Sequence, residues 1–272
     1  MTIQPQIIHI DDVEPERMDE GKGWFITDFR LPLSARQGLG STMFRARFFP
    51  GAVHKKHRHE ACDEIYYIIS GNGVAGAAGS VEDVSTGDFH YVPKNTEHWL
   101  ANRSTDDPIE VIGWYIGSGS VEATDYVYMG DVTEDDISAE RIAYATGALV
   151  HTDQVTPEQA GDGADIGISD IRLTIGKDQK SAHAAWQTIF APGENNRRHL
   201  HENADEFYFV LQGQARVGIG ELEAELKPGH AVFIPKNTPH WVKNTSTDQP
   251  FIAVGIYEGA DSFAASGTVF LD

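Results

Sequence analysis

One pattern occurs twice in this chain of 272 residues, and the two occurrences are offset by 142 positions throughout. The first runs Gly51-x5-His57-x-His59-x4-Glu64-x6-Gly71, then Gly87-x5-Pro93-x4-His98-x3-Asn102. The second runs Gly193-x5-His199-x-His201-x4-Glu206-x6-Gly213, then Gly229-x5-Pro235-x4-His240-x3-Asn244. No insertion or deletion separates them. The echo continues outside the pattern: His9 with His151, Asp11 with Asp153, Pro15 with Pro157, Arg30 with Arg172, Ser104-Thr105-Asp106 with Ser246-Thr247-Asp248, and Tyr115 with Tyr257. A period this long marks duplicated domains, not a solenoid of short repeats. The expected division is a first domain over residues 1–130, an acidic linker or short helix over 131–142, and a second domain over 143–272, each long enough for its own core.

The local pattern is that of β-structure. Short runs rich in β-branched and aromatic residues (Ile65–Ile69, Phe89–Val92, Ile109–Ile116, Phe207–Leu211, Ala231–Ile234, Phe251–Tyr257) alternate with turn sequences such as Ser70-Gly71-Asn72-Gly73 and Lys227-Pro228-Gly229. Many short antiparallel strands in each copy predict an all-β barrel or sandwich. Side chains on a strand alternate faces, so His57 and His59 leave one face together and can grip one ion. Glu64 begins the next strand, with Tyr66 and Ile68 on its inward face. His98 comes from a distant strand, with Leu100 and Asn102 inward and Trp99 outward. The second copy repeats this with Glu206, Tyr208 and Val210, and with His240, Val242 and Asn244. Each copy therefore offers three imidazoles and one carboxylate.

The doubled pattern resembles that of the cupin superfamily, specifically a bicupin, over nearly the whole chain. It departs from the family pattern at one place, the glycine two residues after the proline, where Asn95 and Asn237 stand. The resemblance implies two tandem jelly-roll β-barrels, each holding a divalent metal through His57, His59, Glu64 and His98, and through His199, His201, Glu206 and His240. Family members with two intact sites are typically enzymes, often with manganese or iron. Oxalate decarboxylase-like members carry an arginine three residues before the first histidine of the motif, where this chain has His54 and Asn196. The germin-like oxalate oxidase pattern has asparagine there, matched by Asn196 alone. Tyr66, His54, Tyr208 and Asn196 are the candidates for catalytic hydrogen bonding or proton transfer, with Gln187 as a further one. Aromatics Phe44, Phe48, Trp186 and Phe190 either line a pocket or are plain barrel core.

Imidazole and carboxylate suit iron, manganese, nickel, cobalt, copper or zinc, and the absence of thiolates disfavours soft ions. Four protein ligands on an ion that prefers six leave two open positions, which makes it a Lewis acid or a redox centre. With one carboxylate per divalent ion each site stays net positive and favours an anionic or enolate-forming ligand. The expectation is up to two iron or manganese ions per chain and a metal-dependent oxidoreductase, a dioxygenase acting on a small oxygen-chelating molecule. The alternatives are a redox-neutral decarboxylase, isomerase or lyase, and a non-catalytic metal-bearing binding module.

With 21 Lys and Arg against 41 Asp and Glu the formal charge is −20, which argues against nucleic acid and membrane partners. The single cysteine, Cys62, is read as a small buried residue. The start MTIQPQIIHIDD lacks the pattern of a secretory signal, and no apolar run reaches the length of a membrane span, so a cytoplasmic protein is expected. Trp24-Phe25 and Phe89-His90-Tyr91 are read as apolar outer faces covered in a homodimer. His54, His90 and His230 are read as surface or rim histidines, Arg30 and Arg172 as partners in ion pairs between barrels, and the run 134–136 as a solvated linker face.

Overall fold

A computed structural model describes residues 3–17, 26, 28–158, 167, 168 and 170–271. It resolves into two compact units, one of Val13–His151 and one of Met1–Asp12 with Thr152–Asp272. The chain opens with β1 (Gln6–His9). The unit Val13–His151 carries β2 (Asp28–Leu33), β3 (Thr42–Phe48), β4 (Val53–His59), β5 (Asp63–Ser70), β6 (Asn72–Ala77), β7 (Ser80–Ser85), β8 (Asp88–Val92), β9 (His98–Asn102), β10 (Ile109–Ile116), β11 (Tyr126–Gly130), helix α1 (Glu134–Ser138) and β12 (Ala148–His151). The other unit carries β1 with β13 (Asp170–Ile175), β14 (Ala184–Phe190), β15 (His199–His201), β16 (Asp205–Gln212), β17 (Ala215–Ile219), β18 (Leu222–Leu226), β19 (His230–Ile234), β20 (His240–Asn244), β21 (Phe251–Glu258) and β22 (Thr268–Phe270). These units are called the N-terminal and C-terminal barrels.

Each barrel is a jelly roll of two antiparallel sheets. The N-terminal sheets have the orders β12-β8-β5-β10-β3-β2 and β11-β4-β9-β6-β7; the C-terminal ones have β1-β19-β16-β21-β14-β13 and β18-β17-β20-β15-β22. The expected all-β architecture of two tandem jelly-roll barrels is what forms. Alternation places the faces as the spacing predicts. Leu100 joins the N-terminal barrel's core with Phe44, Phe48, Ile68 and Val111, whereas Trp99 packs on the other face with Val74, Val81, Ala101 and Ile137. A Cβ on Gly76 would collide with the Trp99 ring, and one on Gly218 with the Trp241 ring. Glycine there is what lets each indole lie flat on the neighbouring strand.

The compact units differ from the division expected at residues 130 and 143. β1 pairs with β19, Gln6 opposite Phe233 and His9 opposite His230, while β12 pairs with β8, Ala148 opposite Tyr91 and His151 opposite Asp88. The segment ahead of each copy completes the other copy's six-stranded sheet, because an edge strand with unpaired amides gains hydrogen bonds by accepting one more strand. The echoed histidines secure both joints. His9 Nε2 bonds the Pro228 carbonyl at 3.1 Å, and His151 Nε2 bonds the Thr86 carbonyl at 3.1 Å. Each ring lies against a glycine of positive φ, Gly229 at 95° and Gly87 at 101°.

The stretch 131–142 is packed, not free. Thr133 caps α1 through a reciprocal box with Asp136, Ile137 is buried in the outer cluster, and Lys56 Nζ pairs with Asp136 at 2.6 Å. Of the acidic run, Glu134 keeps the solvated character expected, with its side chain 83% exposed, while that of Asp136 is 26% exposed. The ion pairs seen at Arg30 and Arg172 are local rather than between barrels: Arg30 with Asp28 at 2.8 Å, and Arg172 with Asp170 at 2.8 Å and Asp153 at 3.2 Å. Phe89 and Tyr91 are buried within the chain, so they leave no apolar outer face. Trp24 and Phe25 lie outside the described residues. Among the described residues no helix is long and apolar enough to cross a membrane.

Candidate metal centres

In the N-terminal barrel one donor atom from each of His57, His59, Glu64 and His98 lies within 4.8 Å of all the others, and all four residues are buried. β4 supplies the first two, β5 the carboxylate and β9 the last, so three strands converge on one point. Glu64 Oε2 lies 3.0 Å from His98 Nε2 and 3.2 Å from His59 Nε2. In the C-terminal barrel the same criterion unites His199, His201 and His240. Glu206 flanks that triad, its Oε2 at 3.1 Å from His240 Nε2 and 3.6 Å from His201 Nε2.

The rings are held with one nitrogen aimed inward. The Nδ1–H of His57 donates to the Lys55 carbonyl at 2.7 Å, that of His98 to Thr96 at 3.0 Å, that of His199 to Arg197 at 2.7 Å and that of His240 to Thr238 at 2.9 Å. A carbonyl only accepts, so each Nδ1 carries a proton, and in the neutral ring Nε2 is left with the lone pair that a cation takes. For His201 the inference takes one more step. Ser266 gives its only hydroxyl proton to the Phe263 carbonyl at 2.7 Å, so its oxygen accepts from His201 Nδ1 at 3.1 Å. Such outer braces are what orient ligating imidazoles.

Electrostatics agrees with cation binding. Burial pushes the pKa of His57, His59 and His199 down, the last to about 3, so these rings stay neutral and able to ligate. Burial works to raise the carboxyl pKa of Glu64 and of Glu206, but the adjoining imidazoles overcome it and hold both well below the usual carboxylate range. In the C-terminal barrel His201 Nε2, His240 Nε2 and Glu206 Oε2 are buried with no hydrogen-bond partner. An unpaired buried acceptor is costly, and a divalent cation at the convergence satisfies them together. The residues fit the ion that their chemistry implies.

The barrels differ in the space beside these ligands. A cavity of about 450 Å³ opens onto His199, His201, Glu206 and His240; its counterpart beside Glu64 and His98 measures about 20 Å³. The repeat shows why. At equivalent positions the N-terminal barrel has Tyr126, His54, Leu100, Val111 and His90, and the C-terminal barrel has Thr268, Asn196, Val242, Ala253 and Val232, each smaller. Tyr126 stacks on His57 with ring centroids 4.8 Å apart, and His54 lies 4.2 Å from the same ring.

The remaining candidates fall as follows. Tyr66 and His54 line the small cavity, and the Tyr66 hydroxyl is hydrogen-bonded with Nδ1 of His90. Tyr208 and Asn196 line the large one, although Asn196 Oδ1 is engaged by the Val242 amide at 2.6 Å. Gln187 lies between Trp186 and Thr188, which do line that cavity, and as its neighbour on the strand it faces away. His90, expected at the rim, is fully buried on the inward face opposite Tyr66, with its pKa pushed down to about 3 by burial. His54 is likewise buried, while His230 stays partly open and packs on His9 as a rim histidine does. Cys62 is buried and its thiol is pushed up to about 12, which makes it inert. Sequence reasoning missed Ser266 and Thr268, the braces of His201, because hydroxyls at a strand end carry no motif.

Two antiparallel jelly rolls, each gathering imidazoles and a carboxylate at its centre, define the class of metal-binding double-barrel proteins. The chain belongs to the cupin family, for the Cupin domain matches residues 44–115 and again 186–257. It is 27% identical over 104 residues to the "Oxalate-binding protein" of Thermotoga maritima, a stretch covering 37% of this chain and 86% of that protein. It is 26% identical over 99 residues to "Protein SchB" of Streptomyces halstedii, covering 36% and 67%. An arginine-to-alanine variant of the oxalate decarboxylase of Bacillus subtilis superposes with a TM-score of 0.76 at 17% identity, over 100% of this chain and 80% of that one. The structure of that decarboxylase at pH 4.6 gives 0.74 at 17%, over 100% and 79%. At such identities the likeness is one of fold.

Proposed function

We propose that this protein is a metal-dependent enzyme that transforms a small, oxygen-chelating carboxylate without net redox change, by decarboxylation, isomerisation or elimination, and that its C-terminal barrel does the work. The observation that carries this is the cavity of about 450 Å³ over His199, His201, Glu206 and His240, against about 20 Å³ in the N-terminal barrel. The oxalate-binding relative and the shared fold of oxalate decarboxylase support a carboxylate-bearing ligand. A divalent ion, manganese or iron for preference, held by the three histidines with Glu206 supplies Lewis acidity toward the ligand's oxygens. The chain supplies the rest. The Nδ1 braces fix the imidazoles, the apolar wall excludes water, and Glu206, kept ionised by His201 and His240, supplies the one anionic ligand. The His57, His59, Glu64 and His98 cage, with no room beside it, holds its ion for stability.

A dioxygenase is the second reading, favoured by one observation, the aromatic part of the cavity wall. Turnover of a 2-oxo acid panel under strict anaerobiosis by manganese-loaded protein tests the first reading. Product formation that persists without dioxygen and disappears in His199→Ala supports it. An absolute requirement for dioxygen, or full turnover in His199→Ala, sinks it. A homodimer in the cytoplasm remains part of the proposal, and sedimentation equilibrium checks the stoichiometry.

A further inference from the structure

The two barrels treat the same tyrosine differently. Tyr66 and Tyr208 occupy equivalent positions, and the residue directly opposite each in register is His90 in one barrel and Val232 in the other. Tyr66 thus finds a partner in His90. The Tyr208 hydroxyl, in a residue 3% exposed, has none. A second substitution acts the same way. Phe44 of the N-terminal barrel is replaced by Trp186, also 3% exposed, and its indole Nε1–H is unpartnered as well. Both side chains line the cavity that contains the histidine triad, with each donor atom itself enclosed in the wall. Every buried donor left unpaired costs about 1–3 kcal/mol. Trp114 Nε1 of the N-terminal barrel is unpartnered too, but in the C-terminal barrel two such side chains stand on the wall of one chamber, where a bound molecule with acceptors can engage them.

The rest of the wall narrows what that molecule is. Phe190, Val242, Ala253, Phe263 and Phe270 make it apolar, no lysine or arginine is among its described lining residues, and besides Glu206 it has one further carboxyl, the exposed Glu158, which adds to the repulsion of a dianion. Glu206 supplies one negative charge to a divalent ion, so one further negative charge neutralises the site, and a second would be buried without a counter-charge. Oxalate would leave most of the chamber unfilled. We propose, resting on the reading of the C-terminal barrel as the reacting centre, that Tyr208 Oη and Trp186 Nε1 select a monoanionic chelator with an apolar body. The ligand class is a 2-oxo or 2-hydroxy carboxylate bearing an aryl or branched alkyl group, and small dianions are disfavoured.

Calorimetric titration of the cobalt(II)-loaded full chain with phenylglyoxylate and with oxalate tests this. Phenylglyoxylate binds once per chain, about tenfold or more tighter than oxalate, the factor that 1.4 kcal/mol represents. Tyr208→Phe and Trp186→Phe each weaken it about three- to tenfold, as the loss of one net hydrogen bond requires, with cobalt content and the cobalt absorption spectrum unchanged. Oxalate binding as tightly as phenylglyoxylate, or both variants binding like the parent, overturns the inference. The reading beneath it fails separately: phenylglyoxylate binding that survives His199→Ala removes the C-terminal barrel as the ligand site, whereas binding lost in His199→Ala but undiminished in both donor variants overturns the donors alone.

Discussion

At the scale of single residues, one tyrosine hydroxyl with a partner and its twin without one make a controlled comparison inside a single chain. Tyr66→Phe leaves His90 with neither ring nitrogen engaged, since its Nε2 is already unpartnered. It should lower the stability of the metal-free protein by about 1–3 kcal/mol in urea denaturation. Tyr208→Phe removes a hydroxyl that bonds nothing, and should leave stability within about 0.5 kcal/mol or raise it. Equal losses in both variants would contradict the assignment. The asparagines that stand for the family's glycine obey a similar logic. Asn95 and Asn237 sit at φ of 64° and 62°, a left-handed conformation that asparagine and glycine tolerate and that a Cβ without a local hydrogen bond resists. Asn95→Ala should cost about 1 kcal/mol and Asn95→Gly close to nothing, read from the same denaturation curves. The convergence of the candidate ligands was legible from spacing, because period two brings His57 and His59 to one face. The role of His90 was not, because its meaning depends on the residue across the ladder.

At the scale of elements, the exchanged strands carry the argument. β1 is the only partner on one side of β19, as β12 is for β8. Deleting residues 1–10 should expose the β19 edge, and hydrogen exchange should accelerate in His230–Ile234 while β8 keeps its protection. Unchanged exchange at β19 would show that the pairing contributes nothing in solution. Aligning the copies placed the boundary at the end of each repeat, and this is where sequence reasoning stopped short. An echo such as His9 with His151 reports that two segments are equivalent, but not which sheet each one joins. The narrowing of the first cavity, by contrast, was written in the alignment as Tyr126 against Thr268 and His54 against Asn196. It goes unread until strand register shows that these positions face the ligands.

At the scale of the whole molecule, protons and metal act on the same interior. His90 titrates near 6.5 in the unfolded chain and about 3 in the folded one. Below pH 6.5 the unfolded chain therefore binds more protons, so the stability this residue contributes is complete above that value and is lost as pH falls toward 3. Between pH 7 and pH 5 that loss is about 2 kcal/mol for His90 alone, and the depressed pKa values of His57 and His199 act with the same sign. Urea midpoints of the metal-free protein at the two pH values check this; equal midpoints would contradict it. A cation held by the clustered histidines and carboxylates would favour the native state and oppose the loss: at a free concentration about a hundredfold above its dissociation constant it should add about 2.7 kcal/mol per site. Chelator treatment followed by calorimetric melting should reveal the decrement.

The interleaving of β1 and β12 also has a meaning for how the polypeptide is made. β1 ends at His9 and its mate β19 starts at His230, so on a ribosome the leading strand emerges long before the edge that receives it exists. Vectorial synthesis lets the unit Val13–His151 close as soon as His151 clears the exit tunnel, while β1 stays uncommitted until β19 has been made. A nascent chain halted midway would carry a docking strand with nowhere to go, which makes the emergence of β19 the step that commits it.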